Sequence, residues 1–377
     1  MTLMVTVNEF WKFGGIPHAL EHFAVLEDGM GLSDIVYPMF LFAMGMSVPL
    51  ALDAREARGC SAVSTLGHIL SRTLALLVMG TFIVNVEGTQ IAPLLGYSRG
   101  VFYLLMVAGF FLVWNRYSPE FRFRRLCRGL GIVLLLLLAF TFRSTEGALM
   151  RGSWWGILGQ IGWMYLFTSL AYMLTRGRGW ILALLWVVFA LVNISVTPLR
   201  EGGMLIGENV LADLAAALNL GNGHSVLMSL GGCITVLAGR RLAARSETRN
   251  LLTALSAAVV FAALGILAHR GWIISKGLGT LPWVLFVTAI SVALYAMLRV
   301  LERHGLTRWA APIRPAGTAT LTVYMIPYFF IGIWILVTPT LPAWYSGMTG
   351  VALSVAYAGV CIGITWLLGK VGIMLKI

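Results

Sequence analysis

Charge is what this chain has least of. Only 11% of its 377 residues are charged, and acids are the scarcer sign, 15 Asp and Glu against 27 Lys and Arg. Hydrophobic residues make up 59% and the mean hydropathy is +0.87. No soluble domain of this length needs so much apolar surface, so a soluble fold is excluded. Short alternating segments are also missing, which excludes a β-barrel. Cysteine is sparse as well: Cys60, Cys127, Cys233 and Cys361 lie far apart, with no CxxC and no metal spacing. They read as small packing residues in or near helices. The sequence shows no cleavable signal peptide, coiled coil, low-complexity tract or separable soluble domain.

What is there is a run of long apolar segments. About 20 residues are needed to cross a bilayer as a helix. Segments of that kind occupy residues 33–52, 67–86, 97–115, 127–142, 155–175, 180–197, 224–242, 250–268, 281–299, 317–337 and 349–369. Met1 to Phe13 is apolar but too short to span alone, so it is half a helix or part of a longer first span. The expected fold is therefore all-α, a polytopic helical membrane bundle of about eleven full spans plus a partial first one, with 1–377 forming a single domain.

The net charge of +12 would point to nucleic acid in a soluble protein. Here the arginines sit in alternate links: Arg55 and Arg58; Arg116, Arg122, Arg124, Arg125 and Arg128; Arg176 and Arg178; Arg240, Arg241, Arg245 and Arg249; and Arg299, Arg303, Arg308 and Arg314. Lys370 and Lys376 end the chain. The positive-inside rule puts these links and the C-terminus in the cytoplasm, and the loop holding His18 and His22 outside. No nucleic-acid partner is expected. Arg122-Phe123-Arg124-Arg125 is expected on the inner membrane face, against anionic lipid. Two outer links are long. Residues 143–155 end Trp-rich, and 198–224 holds Glu201, Glu208, Asp213 and an amphipathic piece, Asn209 to Leu220, expected to lie along the surface.

Chemistry concentrates between Pro17 and Leu52. Two imidazoles and four carboxylates (His18, His22, Glu21, Glu27, Asp28, Asp34) stand just ahead of a span. Ionisable groups at a membrane mouth are costly to place, so a functional reading is the default. Pro17 suits the first turn of a short helix, with His18 and His22 at i, i+4 on one face. Ser33 is expected to cap the next helix, with Asp34 in its first turn. An imidazole beside a carboxylate is a general base or nucleophile at neutral pH; the plain alternative is a solvated loop histidine. His18-Ala19-Leu20-Glu21-His22 also fits H-x-x-E-H, in which two histidines bind zinc and the glutamate activates water.

Further polar groups lie in or beside the spans. Asn8 and Asn85 are either hydrogen-bonding glue between helices or site residues. Arg72 either snorkels to the inner interface or meets an anionic ligand. Gln160, between Trp155 and Trp163, is placed to line a cavity. Lys276, after His269 and Arg270, is either solvated or ready for a phosphate. Tyr324 and Tyr328 flank Pro327, which is expected to break its span, and broken helices line cavities.

From His22 to Pro49 the chain resembles the transmembrane acyltransferases related to heparan-alpha-glucosaminide N-acetyltransferase, including bacterial sugar-acetylating members. The residues that carry the resemblance are Val7-Asn8, a histidine in the following outer loop, and Gly31-Leu32-Ser33-Asp34-Ile35-Val36-Tyr37-Pro38-Met39-Phe40-Leu41-Phe42-Ala43-Met44-Gly45-Met46-Ser47. Weaker similarity lies in Arg72 with Val84-Asn85, Gly156 to Gln160, Ser229-Leu230-Gly231 with Ala238-Gly239, and Gly317 to Tyr324. The resemblance implies acetyl transfer from cytoplasmic acetyl-CoA to an amine or hydroxyl of an extracytoplasmic sugar or glycan, in a bacterial inner membrane. The family's histidine maps to His22, with His18 as rival, and its active-site asparagine to Asn8. Glu21 or Asp34 would orient the base. Arg72, Asn85, Gln160, Lys276 and Tyr324 are the candidate donor-binding residues. The family's Leu-Asp-x-x-Arg-Gly opening is missing, so the first helix is expected to be truncated at its N-terminus. No metal is expected, and a homodimer is left open. The rival classes are a secondary transporter with its site at the broken helix and a zinc hydrolase.

Overall fold

The computed structural model describes residues 1–87, 90–152, 156–207, 209–242, 247–338 and 345–377, apart from the side chains of 241, 242, 247 and 248. Trp155, Glu208 and Arg245 therefore lie outside the described residues. The described elements are helical, with two isolated bridges, Ile91–Ser144 and Asn115–Leu375. The helices are α1 (Thr2–Val7), α2 (Leu32–Glu56), α3 (Ala62–Glu87), α4 (Arg99–Trp114), α5 (Arg124–Thr141), α6 (Ile157–Leu174), α7 (Gly179–Val196), α8 (Val210–Ala217), α9 (His224–Leu242), α10 (Glu247–Ala268), α11 (Leu281–Arg303), α12 (Arg314–Thr318), α13 (Thr320–Val337) and α14 (Gly347–Lys370). Eleven of them fall where the apolar segments were read. Eight of these, α2, α3, α6, α7, α10, α11, α13 and α14, are long and apolar enough to cross a membrane. α2, with 25 residues, is about 38 Å long at ~1.5 Å per residue, more than the ~30 Å hydrocarbon layer. Exposed faces are apolar too, as on α5 (Leu130, Val133, Leu137, Phe140) and α10 (Val259, Val260, Leu267). A polytopic helical membrane protein accounts for such surfaces.

The chain divides into two compact units. The first comprises residues 1–17, 75–159 and 308–377. In it α4 packs on α5 and α13, and α1 on α14. A Cβ on Gly100 would meet the Gly332 carbonyl at 2.7 Å, so α4 and α13 approach backbone to backbone. Val5, Val323, Ile326, Ala358 and Cys361 form a buried cluster, with the cysteine serving as a small apolar residue.

α13 corrects one expectation. It runs unbroken through Pro327, and the interruption lies earlier, at Ala319, where φ −125° and ψ 47° separate α12 from α13. A proline removes one backbone donor, and the neighbouring turns of a packed membrane helix hold the axis. α2 carries Pro38 and Pro49 within it in the same way.

The second unit comprises residues 18–74 and 160–307. Its centre is α2 against α9, brought together by two glycines. A Cβ on Gly45 would stand 1.8 Å from the Ser229 carbonyl, and one on Gly232 would stand 1.9 Å from that of Phe42. Only a bare backbone fits there. α10 lies along α11. The amphipathic piece becomes α8, capped by the Asn209 side chain on the Ala212 N–H, with Val210, Leu211 and Leu214 exposed and Ala215 buried.

Candidate functional site

The loop ahead of α2 is built differently from the i, i+4 helix that its spacing suggests. Only His18–Leu20 is helical, as a single 3₁₀ turn. The chain then curls so that Gly31 passes over Glu21, where a Cβ would lie 2.1 Å from the Glu21 carbonyl. This close approach sets the two histidines on separate carboxylates. His18 Nε2 pairs with Glu27 Oε1 at 2.6 Å and its ring stacks on Phe23, centroids 4.1 Å apart. The Glu27 carboxyl is held below the usual range by the Ala24 N–H and by His18. His22 Nδ1 pairs with Asp34 Oδ1 at 2.7 Å.

The cap of α2 also differs from expectation. The helix begins at Leu32 with Gly31 as its N-cap, and Ser33 instead donates its hydroxyl to the Leu20 carbonyl at 2.6 Å. Asp34 does the capping. Its Oδ2 accepts the Gly31 and Phe23 N–H groups, each at 3.1 Å, while Oδ1 takes His22. One carboxylate therefore closes the helix, fixes the loop and orients the imidazole. Its side chain is 2% exposed while that of His22 is 54% exposed. The acid is locked and the imidazole is open to the outside of the fold.

A buried carboxylate needs a donor, so the proton of neutral His22 resides on Nδ1 and Nε2 carries the free lone pair. Lys276 Nζ completes the cluster, 3.1 Å from His22 Nδ1, 3.7 Å from Asp34 Oδ1 and 3.5 Å from the Ser33 carbonyl. Burial pulls the Lys276 ammonium below the usual lysine range, and Asp34 offsets part of that pull.

Lys276 reaches this place because its loop is latched to the histidine loop. Asp28 accepts the Ile274 N–H at 2.8 Å, pairs with His269 Nε2 at 2.8 Å and with Arg200 at 2.7 Å. The Gly29 N–H donates to the Ile274 carbonyl at 2.9 Å and Ser275 Oγ to that of Val25 at 2.6 Å. Arg200, His269 and Asp28 gave no signal as a group in the sequence, because 241 residues separate Asp28 from His269.

The remaining candidates spread over both units. Tyr37, one turn beyond Asp34, donates to Gln160 Oε1 at 2.5 Å, and Ser225 approaches the same oxygen at 3.4 Å. Arg72 has its guanidinium 4.8 Å from the Tyr165 ring centroid, and its buried Nε has no hydrogen-bond partner among the described residues. Arg55, Arg58 and His68 share its electrostatic neighbourhood. Asn8, Asn85 and Tyr324 belong to the first unit. Asn8 ends α1 as its C-cap. Asn85 donates to the Thr81 and Arg151 carbonyls and accepts the Arg151 N–H at 3.0 Å, which pins a loop. Tyr324 is buried, its hydroxyl 3.0 Å from that of Tyr328.

The zinc geometry of H-x-x-E-H is not formed, since His18 and His22 answer to different acids. Among the described residues no three His, Cys, Asp or Glu side chains gather closely enough to hold a metal.

Comparison with known proteins gives two kinds of match. Heparan-alpha-glucosaminide N-acetyltransferase of Mus musculus is 35% identical over 89 residues, and that of Homo sapiens is 36% identical over 89 residues. Each match covers 22% of this chain and 12% of the relative. A resemblance to that acetyltransferase is thus found independently, over a limited segment of each chain. The second match is to a family model spanning residues 8–201, which takes in α2 to α7 and both histidines. Over that half of its length the chain belongs to the family described as Domain of unknown function (DUF5009).

Proposed function

We propose that the chain is a membrane acyltransferase, residues 1–377 acting as one catalytic domain, which moves an acetyl group from acetyl-CoA to an amine or hydroxyl of an extracytoplasmic sugar or glycan. The observation that carries this reading is the His22–Asp34 pair: an exposed imidazole held by a buried carboxylate. A general base for acyl transfer needs a fixed tautomer and an open nitrogen. The matched relatives are named as N-acetyltransferases, which supports the same reaction class.

In the step, His22 Nε2 takes the proton of the acceptor as its nitrogen or oxygen attacks the thioester carbonyl. The tetrahedral intermediate then collapses, the C–S bond breaks, and the coenzyme thiolate leaves and is protonated. Lys276 offers positive charge close to the base. Asn8 is assigned the role of amide donor to the developing oxyanion, by resemblance alone. The nucleotide end of the donor calls for cations, and Arg55, Arg58 and Arg72 supply them at the arginine-rich end of α2 and α3; Asn85, Gln160 and Tyr324 are assigned to the donor by resemblance alone. The arginine pattern supports a cytoplasmic position for that end and an outer one for the His22 loop, and on this reading donor and acceptor approach from opposite sides of a bacterial inner membrane.

The test is acetyl transfer by purified protein with acetyl-CoA and an amino-sugar acceptor. His22→Ala should lower turnover by roughly a hundredfold to ten-thousandfold while acetyl-CoA binding changes little. His18→Ala, which loses only a loop contact, should be milder. Full activity in His22→Ala rejects the assignment. Rapid quench with labelled acetyl-CoA and no acceptor separates direct transfer from an acetyl-histidine intermediate: label on His22 means a nucleophile, and none means a base.

A further inference from the structure

The second unit contains a cleft that the acyl-transfer reading does not use. It lies between α7, α9, α10 and α11 and has a volume of about 340 Å³, the size of a small-ligand site. Its walls are apolar, with Trp186, Val187, Ile234, Ala257, Phe261 and Val292 among them. Its polar groups gather at one end, where α11 finishes and α10 starts: Arg299, Arg303, Tyr295 and Asn250. Arg299 donates to the Tyr295 hydroxyl at 3.4 Å. Asn250 Oδ1 is buried and has no hydrogen-bond partner among the described residues. A carbonyl oxygen in that position calls for a donor, and the described residues supply none.

An apolar slot with two guanidiniums at its mouth is the complement of an amphiphile with an anionic head. The outer face of α10 carries exposed Val259, Val260, Leu264 and Leu267, so its surroundings are lipid and the ligand enters from the bilayer. A fatty-acid carboxylate would match the charge of the arginines but leave Asn250 without a donor. A zwitterionic ethanolamine head would bring its own ammonium up against two fixed cations. A glycerol head supplies both the phosphodiester and a neutral hydroxyl donor.

We propose that this cleft binds one molecule of an anionic, hydroxylated phospholipid of the phosphatidylglycerol class. One acyl chain lies among Trp186, Phe261 and Val292, the phosphodiester lies on Arg299 and Arg303, and a head-group hydroxyl donates to Asn250. The arginine-rich end faces the leaflet in which juxtamembrane basic residues attract anionic lipid.

The test is native mass spectrometry of the full chain released from bilayers of equal phosphatidylglycerol and phosphatidylethanolamine. One phosphatidylglycerol should be retained, at least tenfold over the other lipid. The double variant Arg299→Gln, Arg303→Gln changes two exposed side chains and should erase that preference. Ala254→Trp fills the cleft from α10, leaves both arginines in place, and should abolish retention of either lipid. Equal retention of the two lipids by the unaltered protein overturns the proposal, as does undiminished phosphatidylglycerol on the folded double variant. If Ala254→Trp fails to fold, the arginine variant decides alone.

Discussion

Asp34 does three things with two oxygens, and that multiplicity decides what its removal should do. Asp34→Asn keeps the shape and the backbone bonds, but its amide donates to His22 Nδ1 where the carboxylate accepts. The imidazole is then pushed to the tautomer with its proton on Nε2, the wrong nitrogen for a base. We expect kcat to fall by roughly a thousandfold or more, with the KM for acetyl-CoA nearly unchanged. A structural defect would move both, or would show as loss of folded protein in size-exclusion chromatography. Equal turnover of the variant and the parent would remove Asp34 from the mechanism.

Two connecting segments, the loop of residues 18–31 and the loop of residues 269–280, hold the site at the scale of elements. Gly31→Ala would put a methyl group 2.1 Å from the Glu21 carbonyl, so the loop must move and His22 with it. A displacement near 1 Å is enough to cost about a hundredfold in rate. Membrane insertion and the circular-dichroism helix signal should be unchanged, because no span is touched; wild-type activity in this variant would contradict the loop geometry.

The latch at Asp28 gives a pH signature. Burial, the largest single influence, raises its carboxyl pKa, but the Ile274 N–H, His269 and Arg200 together outweigh it and hold the group below the usual range. A depressed folded pKa stabilises the fold above the unfolded value of about 3.9, and that stabilisation is lost as pH falls through the folded value. The thermal-unfolding difference between the parent and Asp28→Asn in detergent should therefore be full at neutral pH and shrink below about pH 4. A difference that stays constant from neutral pH to pH 3 would show that the carboxylate is not what holds the two loops together.

For the whole molecule, the distribution of arginine makes a prediction about sides. A reporter fused after Ile377 or placed in the Arg116 to Arg128 link should be active only in the cytoplasm, and one inserted at Gly29 only outside. The reverse pattern would turn the direction of transfer around. Acetyl-CoA at a hundredfold excess over its Kd should stabilise the folded chain by about 2.7 kcal/mol, measured as a thermal shift, if the unfolded chain does not bind it.

The helices at 32–56, 62–87 and 281–303 were legible in the amino-acid order because a span is a local property: enough consecutive apolar residues and a polar stop. The placement of Asp34 in the first turn of its helix was legible for the same reason, since caps act over three or four residues. The 3₁₀ turn at His18, the division of the two histidines between Glu27 and Asp34, and the capping by Asp34 in place of Ser33 were not. They depend on Gly31 crossing the Glu21 carbonyl, a contact between residues that share no helical register. Still less legible was the arrival of Lys276 beside His22. It requires α2 and α9 to close on Gly45 and Gly232, and Asp28 to find His269 and Arg200 across most of the chain. Hydrophobic length fixes where a chain crosses, because the bilayer reads each segment by itself. Pairing between the loops at the crossings depends on which backbones can touch, and only the packed structure decides that.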